Sequence, residues 1–139
     1  MTMPKCIKVG MADMNVLSGS GKLRTAGLGS CVGVILYDPA QRIGGLAHVM
    51  LPSSEMMRES KQTFNAAKYA DTAIPELIRR MRELGADESR MLAKLTGGAQ
   101  MFVIPGQDTM RIGLRNVESC RAALNKSAIP IQAEDTGGH

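Results

Sequence analysis

The sequence is poor in aromatic side chains: across 139 residues it has no tryptophan, two tyrosines and two phenylalanines. Proteins that hold single-stranded nucleic acid stack bases on aromatic rings beside a cationic groove. The modest positive balance of +4, with a pI near 9.2, therefore does not make a nucleic-acid binder. Arg79, Arg80 and Arg82 alternate with Glu76 and Glu83, the pattern of a solvated helix face. Histidine is scarce too, present only as His48 and the terminal His139. The three cysteines, Cys6, Cys31 and Cys120, include no Cys-x-x-Cys spacing, which argues against a disulfide framework and a zinc ribbon. With so few imidazoles, no metal site is expected. No apolar run approaches the roughly 20 residues of a membrane helix, and Met1-Thr2-Met3-Pro4-Lys5 begins no secretory hydrophobic segment. These absences predict a cytoplasmic protein with no direct membrane insertion. Its length suits a single domain over residues 1–139, with a core that needs no covalent or metal staple.

What is present concentrates in Gly27-Leu28-Gly29-Ser30-Cys31-Val32-Gly33-Val34 and Gly44-Gly45-Leu46-Ala47-His48-Val49-Met50-Leu51-Pro52. Between these two apolar strands Asp38-Pro39-Ala40-Gln41 reads as a type I turn, with Asp at the first position and Pro presetting φ at the second. Pairing closed on Asp38 and Gln41 sets Cys31 directly across from His48. Directly opposed side chains share a face about 4.5–5.5 Å apart at Cβ, which lets a thiol meet an imidazole. The paired glycines Gly44-Gly45 leave an alternative open, because a bulge there would shift the register by one and send His48 to the other face. A buried apolar cysteine and a core histidine are the competing readings of the two residues taken singly. The Gly-x-Gly-Ser turn before Cys31 favours the pair, since it lets a ligand approach the backbone closely beside the sulfur.

Along the chain, Cys6-Ile7-Lys8-Val9 predicts an opening strand and Ser18-Gly19-Ser20-Gly21 a loop. The polar run from Ser53 to Lys61 predicts a mobile loop. A helix is expected over residues 68–84, with Gly85 as its stop; Pro75 either sits in the first turn, capped by Asp71 or Thr72, or kinks a longer helix. Met91 to Leu95 predicts a strand ending in the glycine turn Thr96-Gly97-Gly98-Ala99. A second helix is expected over 116–125, followed by a late strand at 129–133 that Pro130 places near an edge or a strand start.

In order and spacing, a set of segments resembles the chemoreceptor glutamine deamidase family, CheD. They are Leu28 to Val32, Gly45 to Pro52, Lys68-Tyr69-Ala70-Asp71, Lys94 to Phe102, Ile112-Gly113-Leu114-Arg115-Asn116 and Ala133 to Gly138. The resemblance covers nearly the whole chain. It implies an α/β fold of the α+β type, a β-sandwich of mixed sheets flanked by helices similar to bacterial toxin-type cysteine deamidases. It also implies a Cys-His-Thr group that falls on Cys31 as nucleophile, His48 as base and Thr25 as the third member. Thr25 follows from the resemblance alone.

Backbone groups at Gly29 and Ser30 are the candidates for substrate and oxyanion contact. The implied reaction is hydrolysis of chemoreceptor glutamine side chains to glutamate with loss of ammonia, without a cofactor; some family members also hydrolyse glutamyl methyl esters. The implied partners are the cytoplasmic helical domain of a methyl-accepting chemoreceptor and a CheC-type phosphatase. A non-catalytic adapter that binds receptor or phosphatase is the alternative from a different class, and a general thiol protease the third. Family members usually continue past the Gly137-Gly138 pair, so a shortened C-terminus is expected. The thiol of Cys31, paired with His48 and set after a glycine turn, is expected to ionise below the ordinary cysteine value.

Overall fold

The computed structural model describes residues 5–56, 64–99 and 112–137. Its strands are β1 (Lys5–Lys8), β2 (Met14–Ser18), β3 (Gly21–Arg24), β4 (Val32–Asp38), β5 (Ile43–Val49), β6 (Leu92–Gly97) and β7 (Ile131–Thr136); its α-helices are α1 (Ala70–Glu83) and α2 (Ile112–Lys126). A five-stranded sheet runs in the order β2-β5-β4-β6-β7, and β1 and β3 form a separate parallel pair. The large sheet is antiparallel except for β6 and β7, which are joined through α2. A parallel pair needs such a crossover.

Strand alternation decides which face each layer covers. Val32, Val34 and Leu36 of β4 and Ile43, Ala47 and Val49 of β5 join Ala73, Ile74, Leu77, Ile78 and Met81 of α1 and Val117, Cys120 and Leu124 of α2 in one buried core. His48, on the opposite parity of β5, meets Thr25 just beyond β3. Both helices therefore pack on one face of the large sheet, while the small sheet approaches the other.

The structure decides three points that the sequence left open. Gly44 and Gly45 form no bulge: β4 and β5 pair without interruption from Asp38↔Ile43 to Val32↔Val49. Gly45 is small because α1 lies on it; a Cβ there would stand 2.8 Å from Leu77 Cδ1 and 3.0 Å from Met81 Sδ. The first helix starts at Ala70, with Tyr69 in the cap position and no side-chain cap. Asp71 is engaged elsewhere, accepting from Ser54 N and Ser54 Oγ at 2.8 and 2.7 Å, and the Thr72 hydroxyl donates to the Ala66 carbonyl at 2.7 Å. Pro75 is not in the first turn; of the two readings, the one that sets it within a longer helix holds. It lies inside α1 on the exposed side, where solvent can serve the carbonyl that its missing N–H leaves free. Pro130 immediately precedes β7, an edge strand, as expected. Most of the segment expected as a mobile loop, from residue 57 to Lys61, lies outside the described residues.

Candidate active site

Thr25, one residue past β3, and His48, on β5 of the large sheet, meet directly. The backbone of His48 is held on the β2 side by two bonds, His48 N to Asp13 O at 2.9 Å and Ala12 N to His48 O at 3.1 Å. Its imidazole is fully buried. The Nδ1 atom lies 2.8 Å from Thr25 Oγ1, and that same oxygen lies 2.6 Å from the carbonyl of Val9. A threonine hydroxyl has one proton. The Val9 carbonyl can only accept, so Thr25 donates to Val9 and must accept from His48 Nδ1–H. This chain of donors fixes the tautomer: Nδ1 carries the hydrogen and Nε2 keeps a bare lone pair. Among the described atoms Nε2 has no hydrogen-bond partner. Val9 is itself fixed by its N–H, which donates to Arg24 O at 2.7 Å.

Cys31 sits one residue before β4, buried at 8% exposure. The register differs from the expected one by two residues. Gly33 is the residue opposite His48, and Cys31, continued along the strand, faces Met50. The hairpin closes on Asp38 and Ile43, leaving residues 39–42 as its loop with Arg42 at φ 55°. A shift of two preserves parity, so Cys31 remains on the side of His48 as a diagonal neighbour, roughly 7–8 Å away across the pleat and within reach of longer side chains. No hydrogen bond joins Cys31 to Nε2. The position over Gly33 is filled by the side chains of Thr96 and Leu28, 3.0 and 3.3 Å from where a Cβ would stand.

Burial sets the protonation of this pair. It pushes the Cys31 thiol above its ordinary value and the His48 imidazole below its own, because desolvation disfavours both charged forms. The resting site is a neutral thiol beside a neutral imidazole. Both shifts favour the neutral forms, opposite in direction to the early ionisation expected of the thiol. Cys6 is exposed, and Cys120 is buried in the core with its thiol pushed up to about 12.

The segment ahead of the sulfur is held by its carbonyls. Gly29 O accepts from Ala99 N at 2.8 Å and Cys31 O from Gly98 N at 2.8 Å. Between them Ser30 O accepts from Asn116 Nδ2 at 2.8 Å, and the same amide nitrogen donates to Met50 O at 2.9 Å. The N–H of Gly29 is committed to Gly27 O at 3.1 Å, which removes it as an oxyanion donor. Among the described residues no acceptor engages the N–H of Ser30 or Cys31. Gly97 lets this clamp close: its φ is +94°, and a Cβ there would fall 2.3 Å from Cys31 O.

Sequence reasoning did not find Val9, Asn116 or the role of Gly97-Gly98. Val9 acts through a backbone carbonyl and carries no side-chain signal. Asn116 had one, a polar residue on the stripe that otherwise buries Val117, Cys120 and Leu124. Among the described residues no group of three or more His, Cys, Asp or Glu side chains could hold a metal ion, and no helix is long and apolar enough to cross a membrane. A groove of about 450 Å³ lies at the hairpin end of the sheet, lined by Leu23, Ile35, Tyr37, Leu46 and Lys94 among others; it includes none of Thr25, Cys31 or His48.

Comparison with known proteins gives a consistent result. The sequence model of a family described as CheD chemotactic sensory transduction matches residues 50–139. A chemoreceptor glutamine deamidase CheD from Halalkalibacterium halodurans is 52% identical over 133 residues, covering 95% of this chain and 81% of that protein. Proteins named "Probable chemoreceptor glutamine deamidase CheD" from Lachnoclostridium phytofermentans and Geobacillus kaustophilus are 51% and 48% identical, covering 97% and 100% of this chain and 83% and 84% of theirs. The family match begins after Thr25, Cys31 and His48, whereas the Geobacillus relative aligns over the whole chain.

Proposed function

The chain belongs to the CheD family, and from that premise we propose that it hydrolyses glutamine side chains of chemoreceptors to glutamate, releasing ammonia, with Cys31 as nucleophile, His48 as acid and base, and Thr25 orienting the imidazole. The observation that carries the assignment is the Val9–Thr25–His48 chain, which presents a bare Nε2 on the face that Cys31 shares. A core histidine with both nitrogens satisfied would have no such atom.

The chemistry starts from a neutral pair. As the substrate amide carbon approaches, Sγ–H passes its proton to His48 Nε2 and the sulfur attacks, forming a C–S bond and an oxyanion. The imidazolium keeps its Nδ1–H donated to Thr25 and gives the Nε2 proton to the departing nitrogen. Ammonia leaves and a glutamyl thioester remains. His48, neutral again, takes a proton from water, and hydroxide addition releases glutamate and the Cys31 thiol. The N–H groups of Ser30 and Cys31 are the oxyanion donors of this reading; removing one such donor typically costs about 2.7–4 kcal/mol. Charge is created only during reaction, inside a desolvated site where fixed dipoles act most strongly.

The cytoplasmic helical domain of a chemoreceptor is the substrate partner. A CheC-type phosphatase is the regulatory partner that the family resemblance supports, and a cytoplasmic location goes with both. Mass spectrometry of receptor peptides after incubation with the protein tests the function. Glutamine-to-glutamate conversion at discrete sites is expected; unchanged peptides under conditions where the protein binds receptor would favour an adapter.

A further inference from the structure

Asn116 is a buried polar residue in α2 that spends both amide hydrogens on two carbonyls flanking the candidate site, those of Ser30, just before Cys31, and Met50, two residues after His48. The β4–β5 ladder ends at Val32↔Val49, and the asparagine amide bridges the two chains just beyond it. Its orientation is fixed by chemistry, because Oδ1 turned toward two carbonyl oxygens would meet acceptors with an acceptor. Oδ1 is left buried with no partner among the described residues. An unpaired buried oxygen is a standing cost, and an aliphatic side chain would avoid it. What an aliphatic side chain cannot supply is the pair of N–H donors.

The consequence lies on the far side of a peptide plane. In a trans peptide the carbonyl of one residue and the N–H of the next point in opposite directions, and no cis peptide is present among the described residues. Holding Ser30 O toward α2 therefore aims the Cys31 N–H away from α2. Ala99 does the same for the Ser30 N–H by holding Gly29 O, and Gly98 holds Cys31 O. The two outer anchors are backbone groups of the Gly97-Gly98-Ala99 turn. The middle one, which governs the N–H of the nucleophile itself, is a side chain and can be mutated.

We propose that Asn116 is a positioning residue that preorganises the Cys31 N–H as an oxyanion donor by clamping the Ser30 carbonyl. This rests on the reading of Cys31 as nucleophile, and its test is independent of any receptor. Two reagents react at the same sulfur by different routes. p-Nitrophenyl acetate acylates it through a tetrahedral oxyanion, the acetyl carbon bonding to sulfur as p-nitrophenolate leaves and the thiol proton is released. Iodoacetamide alkylates it by displacing iodide, with no oxyanion.

The ratio of the two rate constants at Cys31, followed by peptide mass, is compared in wild type, Asn116→Asp, Asn116→Ser and Cys120→Ala. The last substitutes another buried residue of the same helix, one that makes no hydrogen bond to the clamp among the described residues. Asn116→Asp is expected to lower the acylation-to-alkylation ratio about 10–100-fold, Asn116→Ser to lower it less because a hydroxyl can donate one bond, and Cys120→Ala to leave it unchanged. The serine variant keeps the comparison available if the aspartate variant does not fold. An unchanged ratio in the Asn116 variants, equal slowing of both reagents, or a wild-type Cys31 that the ester does not acylate would each overturn the proposal. A wild type that shows the expected ratios but releases no ammonia from receptor would instead refute the deamidase reading and leave the clamp standing.

Discussion

Replacing Thr25 with valine keeps the shape of the side chain and removes the one atom that joins Val9 to His48. In the native site Oγ1 stands 2.6 Å from the Val9 carbonyl and 2.8 Å from Nδ1. Valine leaves a buried Nδ1–H without an acceptor, a penalty of about 1–3 kcal/mol. The ring can escape it by moving its proton to Nε2, but that tautomer has no lone pair facing Cys31. Either route raises the barrier, and at 1.36 kcal/mol per decade the range corresponds to a fall in kcat of about 5- to 150-fold. The loss should appear in kcat with KM for a receptor fragment unchanged, since Thr25 is not proposed to hold substrate. Thr25→Ser retains the hydroxyl and should recover most of the rate. Ammonia release from a purified receptor fragment measures the effect, and nitrogen NMR of His48 reports the tautomer directly. Wild-type kcat in Thr25→Val, or a serine variant as slow as the valine one, would refute the reasoning.

Other outcomes follow from the same geometry. Because burial lowers the His48 value from 6.5 and raises the Cys31 value from 9.0, kcat/KM should be flat between pH 6.5 and 9.0, falling only outside that window; a profile centred on a limb inside it would contradict a neutral resting pair. The linkage runs in the same sense: the depressed imidazole contributes stability that is lost as pH falls below 6.5, and the raised thiol contributes stability that is lost as pH rises above 9.0, measurable as unfolding midpoints across pH. Gly45→Ala should destabilise by about 1–3 kcal/mol through overpacking against Leu77 and Met81, and Leu77→Ala in the same chain should not add its full cost, a coupling that a double-mutant cycle reads. Asp38 accepts from Ala40, Gln41 and Asp87 N–H groups and from Arg90, and the Asp87 N–H and Arg90 hold its carboxyl down to about 2. Its contribution is present above the ordinary 3.8 and lost as pH falls toward 2, so Asp38→Asn should lower the melting temperature at neutral pH while flattening its decline in acid.

Much of the strand order near the site was legible because alternation and turn chemistry act locally. Asp38-Pro39 marked the hairpin, and the even and odd residues of β4 and β5 marked its two faces. The exact register was not legible, since a turn motif does not specify how many residues the closing pair encloses; the pairing closes at Ile43 rather than Gln41. The error of two residues kept the parity, so His48 stayed on the correct face while its direct partner became Gly33. Gly44-Gly45 left a bulge open as the alternative because the sequence does not reveal that α1 lies on Gly45. Pro75 left a helix start and a longer helix both open because the propensity penalty is local, whereas the apolar stripe from Ala73 to Met81 that carries the helix through it is a tertiary gain. Thr25 and Val9 could not be found by spacing, as they immediately follow the two strands of a small sheet whose approach to His48 is set by tertiary packing. The thiol's environment was not legible for a related reason: proximity to an imidazole can be read from spacing, but the degree of desolvation, which shifts Cys31 the other way, cannot.

The central claim is that Cys31 is the nucleophile of a glutamine deamidation. It is tested most directly by trapping the covalent intermediate: the protein is mixed with a receptor fragment, quenched in acid within a turnover, and the Cys31 peptide is examined by mass spectrometry. A glutamyl-peptide adduct on Cys31, absent in Cys31→Ala together with all ammonia release and unaffected by Cys6→Ala, is the result this account predicts. Ammonia release that continues at the wild-type rate in Cys31→Ala would contradict it.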